Sequence, residues 1–100
     1  MKEIEDLIHL HPSVETAAVV AMPDAALGEK VCAYVKLRKG ASLDSKGLND
    51  FLSSYMLAKQ KLPERVEVIE EFPMTPSGKI KKHELRKDIA DKLGLPPVRI

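Results

Sequence analysis

The residues best placed to do chemistry in this 100-residue chain are Thr75-Pro76-Ser77-Gly78-Lys79. In Thr75-Pro76-Ser77-Gly78, proline at the second and glycine at the fourth position are the preferences of a type I β-turn, so the spacing predicts a stiffened turn that Lys79 follows at once. A lysine held there loses little further backbone entropy when its ammonium is aimed at a partner, and the chemistry it suits is stabilisation of negative charge at a loop tip. A phosphate-binding P-loop also contains Gly-Lys, but it needs a glycine where this chain has Pro73 and a Ser/Thr where it has Ile80. Gly28, Gly40, Gly47, Gly78 and Gly94 are all isolated, which leaves no backbone nest for a triphosphate or dinucleotide. If the chain serves a nucleotide, the cradle lies on another part of the molecule. His9, His11 and His83 lack metal-ligand spacing with carboxylates or thiols. Cys32, the only cysteine, has no partner for an internal disulfide or a thiolate cluster; it reads as a small core hydrophobe and suits a reducing compartment. Lys79, Lys81, Lys82, Arg86 and Lys87, taken as a charge run alone, read as a solvated helix face.

The elements that must position Lys79 follow from hydrophobic periodicity. Ile4, Leu7 and Ile8 mark a short opening helix inside Lys2–His11, stopped by Pro12. Val14–Ala21 is almost continuously small and apolar, as in an interior strand, and Met22-Pro23-Asp24 breaks it. Pro23–Glu29 reads as a loop, and Val31–Leu37 alternates as a second strand. Ser42 or Asp44 caps a helix through Leu48, Phe51, Leu52 and Tyr55, and Ala58–Glu64 reads as a basic loop. Arg65–Glu70 alternates as a third strand, and 73–79 shows no periodicity. Leu85, Ile89 and Leu93 define a final helix from about Lys82 with Gly94 as its C-terminal cap. The order αββαβα predicts a small α+β fold, a three-stranded sheet packed with about three helices.

Composition fits one domain over residues 1–100, with 44% hydrophobic, 31% charged and 4% aromatic residues. A chain of this length buries roughly two-thirds of its unfolded surface, too little to enclose an ATP-sized ligand and build a complete active site around it. The net charge of +1 gives no global field toward nucleic acid or an anionic membrane. Basic character does collect late: residues 1–50 hold six bases against eight acids, and 51–100 hold ten against seven. No apolar run approaches the ~20 residues of a membrane span and Met1-Lys2-Glu3 opens no signal peptide, so the expected location is cytoplasmic.

Pro73-Met74-Thr75-Pro76-Ser77-Gly78-Lys79-Ile80, followed by Lys81, Lys82, Leu85 and Arg86, resembles the C-terminal signature of the adenylate-forming (AMP-binding) enzymes. That group includes acyl- and aryl-CoA synthetases, firefly luciferase and peptide-synthetase adenylation domains. The likeness continues upstream in Glu3-Ile4-Glu5, His11-Pro12-Ser13-Val14, Ala18-Val19-Val20 before Pro23-Asp24, Gly28-Glu29, and Lys61-Leu62-Pro63. It runs in order over about Lys2 to Lys87.

The resemblance implies a two-step ligase. A carboxylic acid attacks the α-phosphate of ATP to give an acyl-adenylate and pyrophosphate, and the thiol of CoA then takes the acyl group, releasing AMP. A large N-terminal adenylation domain binds ATP, its Mg2+ and the acid substrate. The small C-terminal domain supplies one lysine to the first step and rotates to present another face to the second. Lys79 occupies that lysine's place, and the resemblance assigns Gly28 and Glu29 to the pantetheine arm of CoA. Lys30, Lys59 and Lys61 are possible phosphate neighbours that spacing does not single out. Ser77-Gly78-Lys79 resembles the acyl/aryl-CoA branch more than peptide synthetases, and Lys59-Gln60-Lys61-Leu62-Pro63-Glu64 resembles short- and medium-chain or alicyclic acid ligases of fatty acid metabolism. Relatives with Pro-x-x-x-x-Gly-Lys are acetylated on the lysine, which extends to Lys79 as an expectation. The start at Met1 suggests an excised domain, inactive by itself. Two other readings stand beside this one: a basic nucleic-acid-binding module, disfavoured by near-neutral charge and few stacking rings, and a non-catalytic interaction module with the same fold.

Overall fold

Val14–Asp24 (β1) and Gly28–Leu37 (β2) are long enough, and apolar enough on both faces, to bury a sheet from two sides. The computed structural model describes residues 2–24, 28–55 and 62–95. Around the two strands it places α1 (Lys2–Ile8), α2 (Ser45–Ser53), β3 (Arg65–Val68) and α3 (Lys82–Leu93). The sheet order is β1-β2-β3, with β1 antiparallel and β3 parallel to the central β2. The parallel pair needs a crossover, which α2 supplies.

The side-chain period of two sorts the strands into two cores. Ala17, Val19, Ala33 and Val35 meet Ile4, Ile8, Leu48 and Leu52 of α1 and α2 on one face. Ala18, Val20, Met22, Cys32 and Tyr34 meet Phe72, Leu85 and Ile89 on the other, under α3. The expected α+β architecture of three strands and three helices is therefore present, with helices on both sides of the sheet. Asp44, one of the two expected caps, accepts the Gly47 N–H at 2.7 Å, and Gly94 closes α3 in the left-handed region.

Several boundaries differ from the sequence reading. Pro23 and Asp24 belong to β1 and Gly28 and Glu29 to β2, so these four residues are strand rather than the loop read over Pro23–Glu29; residues 25–27 lie outside the described residues. Pro23 is tolerated for a geometric reason. The N–H groups of Ala17 and Val19 point to the outer edge of β1, and Pro23 shares their parity, so its missing N–H falls where no ladder bond is made. Helix α1 stops at Ile8 rather than reaching His11, α2 at Ser53 rather than Tyr55, and β3 at Val68 rather than Glu70. The part of the basic loop over 58–61 lies outside the described residues.

The outer edge of β1 is covered by α1. Glu5 Oε1 accepts the Val19 N–H at 2.7 Å, and His9 Nε2 accepts the Ala17 N–H at 3.1 Å while Nδ1 bonds the Glu5 carbonyl at 2.8 Å. Two ladder donors that an edge strand would leave open are thereby satisfied.

Candidate functional site

The aperiodic segment before α3 is a miniature β-hairpin. Met74 pairs with Ile80 as an antiparallel bridge, the Thr75 N–H donates to the Lys79 carbonyl at 2.8 Å, and the Lys81 N–H donates to the Pro73 carbonyl at 2.8 Å. At the tip the Gly78 N–H closes on the Thr75 carbonyl at 2.9 Å. Gly78 has φ +86°, the left-handed position that follows a type I turn in a three-residue hairpin loop, where a Cβ is strained. The side chain of Thr75 adds a further tie. Its Oγ1 accepts the Lys79 N–H at 3.1 Å and lies 2.9 Å from the Ser77 hydroxyl.

Thr75 thus holds the backbone of Lys79 through both its main chain and its hydroxyl, while the Lys79 side chain is exposed. Among the described residues its ammonium has no ion-pair partner. The neighbouring cations differ. Lys81 pairs with Glu84 at 3.5 Å, and Lys82 with Glu5.

Gly28 and Glu29 begin β2, opposite Asp24 and Pro23. The structure does not bring them to Lys79. Helix α3 starts beside Glu5 and ends where Leu93 and Leu95 line a cavity of about 320 Å³ with Met22, Asp24 and Lys30, next to the paired Asp24 and Gly28 of β1 and β2. The two candidate sites are therefore at opposite ends of a 12-residue helix, a separation of roughly 18 Å at 1.5 Å per residue. Lys30, read as a possible phosphate neighbour, lies 3.6 Å from Asp24; Lys59 and Lys61 lie outside the described residues.

A polar network absent from the sequence reading locks α3 to the sheet. The Tyr34 hydroxyl donates to Asp88 Oδ2 at 2.6 Å and lies 3.3 Å from the Leu85 carbonyl. Lys92 reaches Glu67 at 2.7 Å and Asp88 at 3.1 Å, and Arg65 reaches Glu67 at 2.8 Å. Burial opposes ionisation of Glu67, but the hydrogen bonds from Lys92 and Arg65 outweigh it and hold its carboxyl below the usual range. The Tyr34 hydroxyl, aided by Lys92, does the same for Asp88 against burial. Burial, then the bond to Asp88, raises the Tyr34 phenol, and burial chiefly pushes the Cys32 thiol up to about 12. Cys32 is thus an inert core residue, as its place in an apolar strand implied. The i,i+4 spacing of Asp88 and Lys92 was a legible signal for part of this network; Tyr34 gave none, because the helix it meets is distant in sequence.

Among the described residues, no group of three or more His, Cys, Asp or Glu is gathered to hold a metal ion, and no helix is long and apolar enough to cross a membrane. Residues 3–79 match the family model for the AMP-binding enzyme C-terminal domain. The chain is 47% identical over 93 residues to the medium-chain fatty-acid–CoA ligase of Escherichia coli K12, covering 92% of this chain and 16% of that protein. It is 42% identical over 92 residues to the 2,3-dihydroxybenzoate-AMP ligase of Bacillus subtilis 168, covering 92% and 17%. In structure it resembles ATP-bound MatB from Rhodopseudomonas palustris, with a TM-score of 0.84 and 36% identity over 91% of this chain and 18% of that one. The chain therefore spans about a sixth of the relatives it matches.

Proposed function

The chain belongs to the AMP-binding enzyme C-terminal domain family, and from that premise we propose that it serves as the small mobile domain of an AMP-forming acid ligase, with Lys79 as its catalytic cation. One observation carries the reading: the Lys79 backbone is tied down by Thr75 from both main chain and side chain, whereas its ammonium is exposed and has no ion-pair partner among the described residues. In adenylation a carboxylate must approach a triphosphate, and a cation near the carboxylate and the bridging phosphate oxygens offsets that repulsion as the new bond forms. At ~4 Å and an effective dielectric of ~20, one such charge pair contributes about 4 kcal/mol, or roughly a thousandfold in rate.

Binding of ATP, Mg2+ and the acid falls to the large N-terminal domain in this reading, consistent with the sixth of the relatives that this chain spans. Acid activation is the step that the names of a CoA ligase and an AMP ligase share, which supports adenylation as the assigned role. Transfer to CoA is the second half of the proposal. Gly28 and Glu29, at the far end of α3 from Lys79, serve the pantetheine arm after the domain turns. Separate placement of the two sites suits a domain that presents one end at a time, and the chain by itself turns over no ATP.

The test is Lys79→Ala in the full-length enzyme. ATP–pyrophosphate exchange should fall roughly a thousandfold while thioester formation from preformed acyl-adenylate and CoA stays within about threefold of wild type. Equal losses in both half-reactions would remove the assignment.

A further inference from the structure

The hairpin that carries Lys79 has a short stem, the Met74–Ile80 bridge with its flanking backbone bonds, and leads directly into α3. Of the two lysines that follow, Lys81 pairs locally with Glu84 in the first turn of α3, but Lys82 crosses to another element and reaches Glu5 Oε1 on α1. The same oxygen accepts the Val19 N–H at 2.7 Å. That N–H is on the outer edge of β1, whose position the ladder to β2 fixes. The Glu5 side chain is 16% exposed, so its carboxylate is a seated acceptor rather than a wandering surface rotamer. One carboxylate oxygen therefore joins α1, the sheet and the first residue of α3.

An ion pair with a partly exposed lysine adds little to stability. Its leverage is on direction, because Lys82 is three residues beyond Lys79 and the helix start sets how the hairpin projects. We propose that Glu5 and Lys82 form a positioning strap, in which α1 and the edge of β1 hold the base of the hairpin so that Lys79 points out at a fixed angle. Both are positioning residues, acting through Lys79 without touching the reacting groups. The inference rests on the reading of Lys79 given above, and it makes the reach of that lysine depend on a residue near the opposite end of the chain.

The experiment is a mutant cycle in the full-length enzyme. Adenylation is followed as ATP–pyrophosphate exchange with whichever of octanoate, benzoate and 2,3-dihydroxybenzoate drives it fastest, and thioester formation from the corresponding synthetic adenylate and CoA. Lys82→Met keeps the Glu5–Val19 bond and removes only the ammonium. It should lower the exchange kcat about tenfold with KM for ATP within about twofold, as expected for a small misplacement of a catalytic group. Thioester formation and thermal midpoint should be unchanged, and Lys82→Arg should restore exchange. Combined with Lys79→Ala, Lys82→Met should have no further effect on exchange, since it acts only through that side chain. Glu5→Gln should reproduce the Lys82→Met loss. An unchanged exchange rate in Lys82→Met, an equal loss in thioester formation, or a loss that persists in the Lys79→Ala background overturns the strap while leaving Lys79 in its role. Undiminished exchange in Lys79→Ala alone sinks the reading of Lys79 and the strap together.

Discussion

At the C-terminal end of α3 the ammonium of Lys92 is shared between Glu67 and Asp88, whereas just before its N-terminal end the ammonium of Lys79 has no ion-pair partner among the described residues. The order is reversed in the backbone: Lys92 lies in a regular helix, and Lys79 lies in a turn with side-chain and main-chain ties back to Thr75. A cation whose partners are supplied by its own fold holds elements together. One whose backbone is fixed and whose charge is left open has that charge to give to something else. The two ends of α3 should therefore separate under mutation, the network answering in stability and the hairpin in rate.

Replacing Tyr34 by alanine should have the largest effect on stability, about 3–5 kcal/mol by denaturant unfolding. It empties a buried ring site and removes the hydroxyl from Asp88. Gly78→Ala comes next and belongs to the other region. At φ +86° a Cβ adds roughly 1–2 kcal/mol of strain to a hairpin that can open locally, so the exchange rate should fall about tenfold with little change in global unfolding. Thr75→Val deletes the hydroxyl that accepts the Lys79 N–H and should slow exchange about fivefold, for a bond of about 1 kcal/mol, while Thr75→Ser retains the wild-type rate. Lys92→Met should reduce stability by no more than about 1 kcal/mol, its ion pairs being partly exposed, and leave exchange untouched. A rate defect in Lys92→Met, or an unfolding defect confined to Thr75→Val, would erase the distinction.

Acid should probe the network more gently. Glu67 and Asp88 have carboxyl groups held below their ordinary values of 4.5 and 3.8, so they stabilise the fold above those values, and the contribution fades as pH falls through them toward the lower folded-state values. Lys92, raised above 10.5 first by its bond to Glu67, contributes fully below that value and loses its effect as pH climbs past it. The thermal midpoint of wild type should drop between about pH 5 and 3 more steeply than that of Glu67→Gln.

What the sequence disclosed divides along the same line. The continuous apolar run of Val14–Ala21, the alternation of Val31, Ala33, Val35 and Leu37, and the Leu85-Ile89-Leu93 spacing placed two strands and α3 because each pattern is local. Turn chemistry around Pro76 and Gly78 marked the segment that presents Lys79 for the same reason. Pro23 misled, since a proline interrupts a strand only where its N–H faces a neighbour, and the edge position of β1 is a fact of topology. The hairpin stem, the reach of Lys82 to Glu5 and the bond of Tyr34 to Asp88 stayed hidden. Each joins residues that only the assembled sheet brings together.

The most direct measurement is single-turnover pyrophosphate release by the full-length enzyme with Lys79 replaced by alanine. The account predicts release about a thousandfold slower than wild type, with the transfer step to CoA intact when the adenylate is supplied; release at the wild-type rate would contradict it.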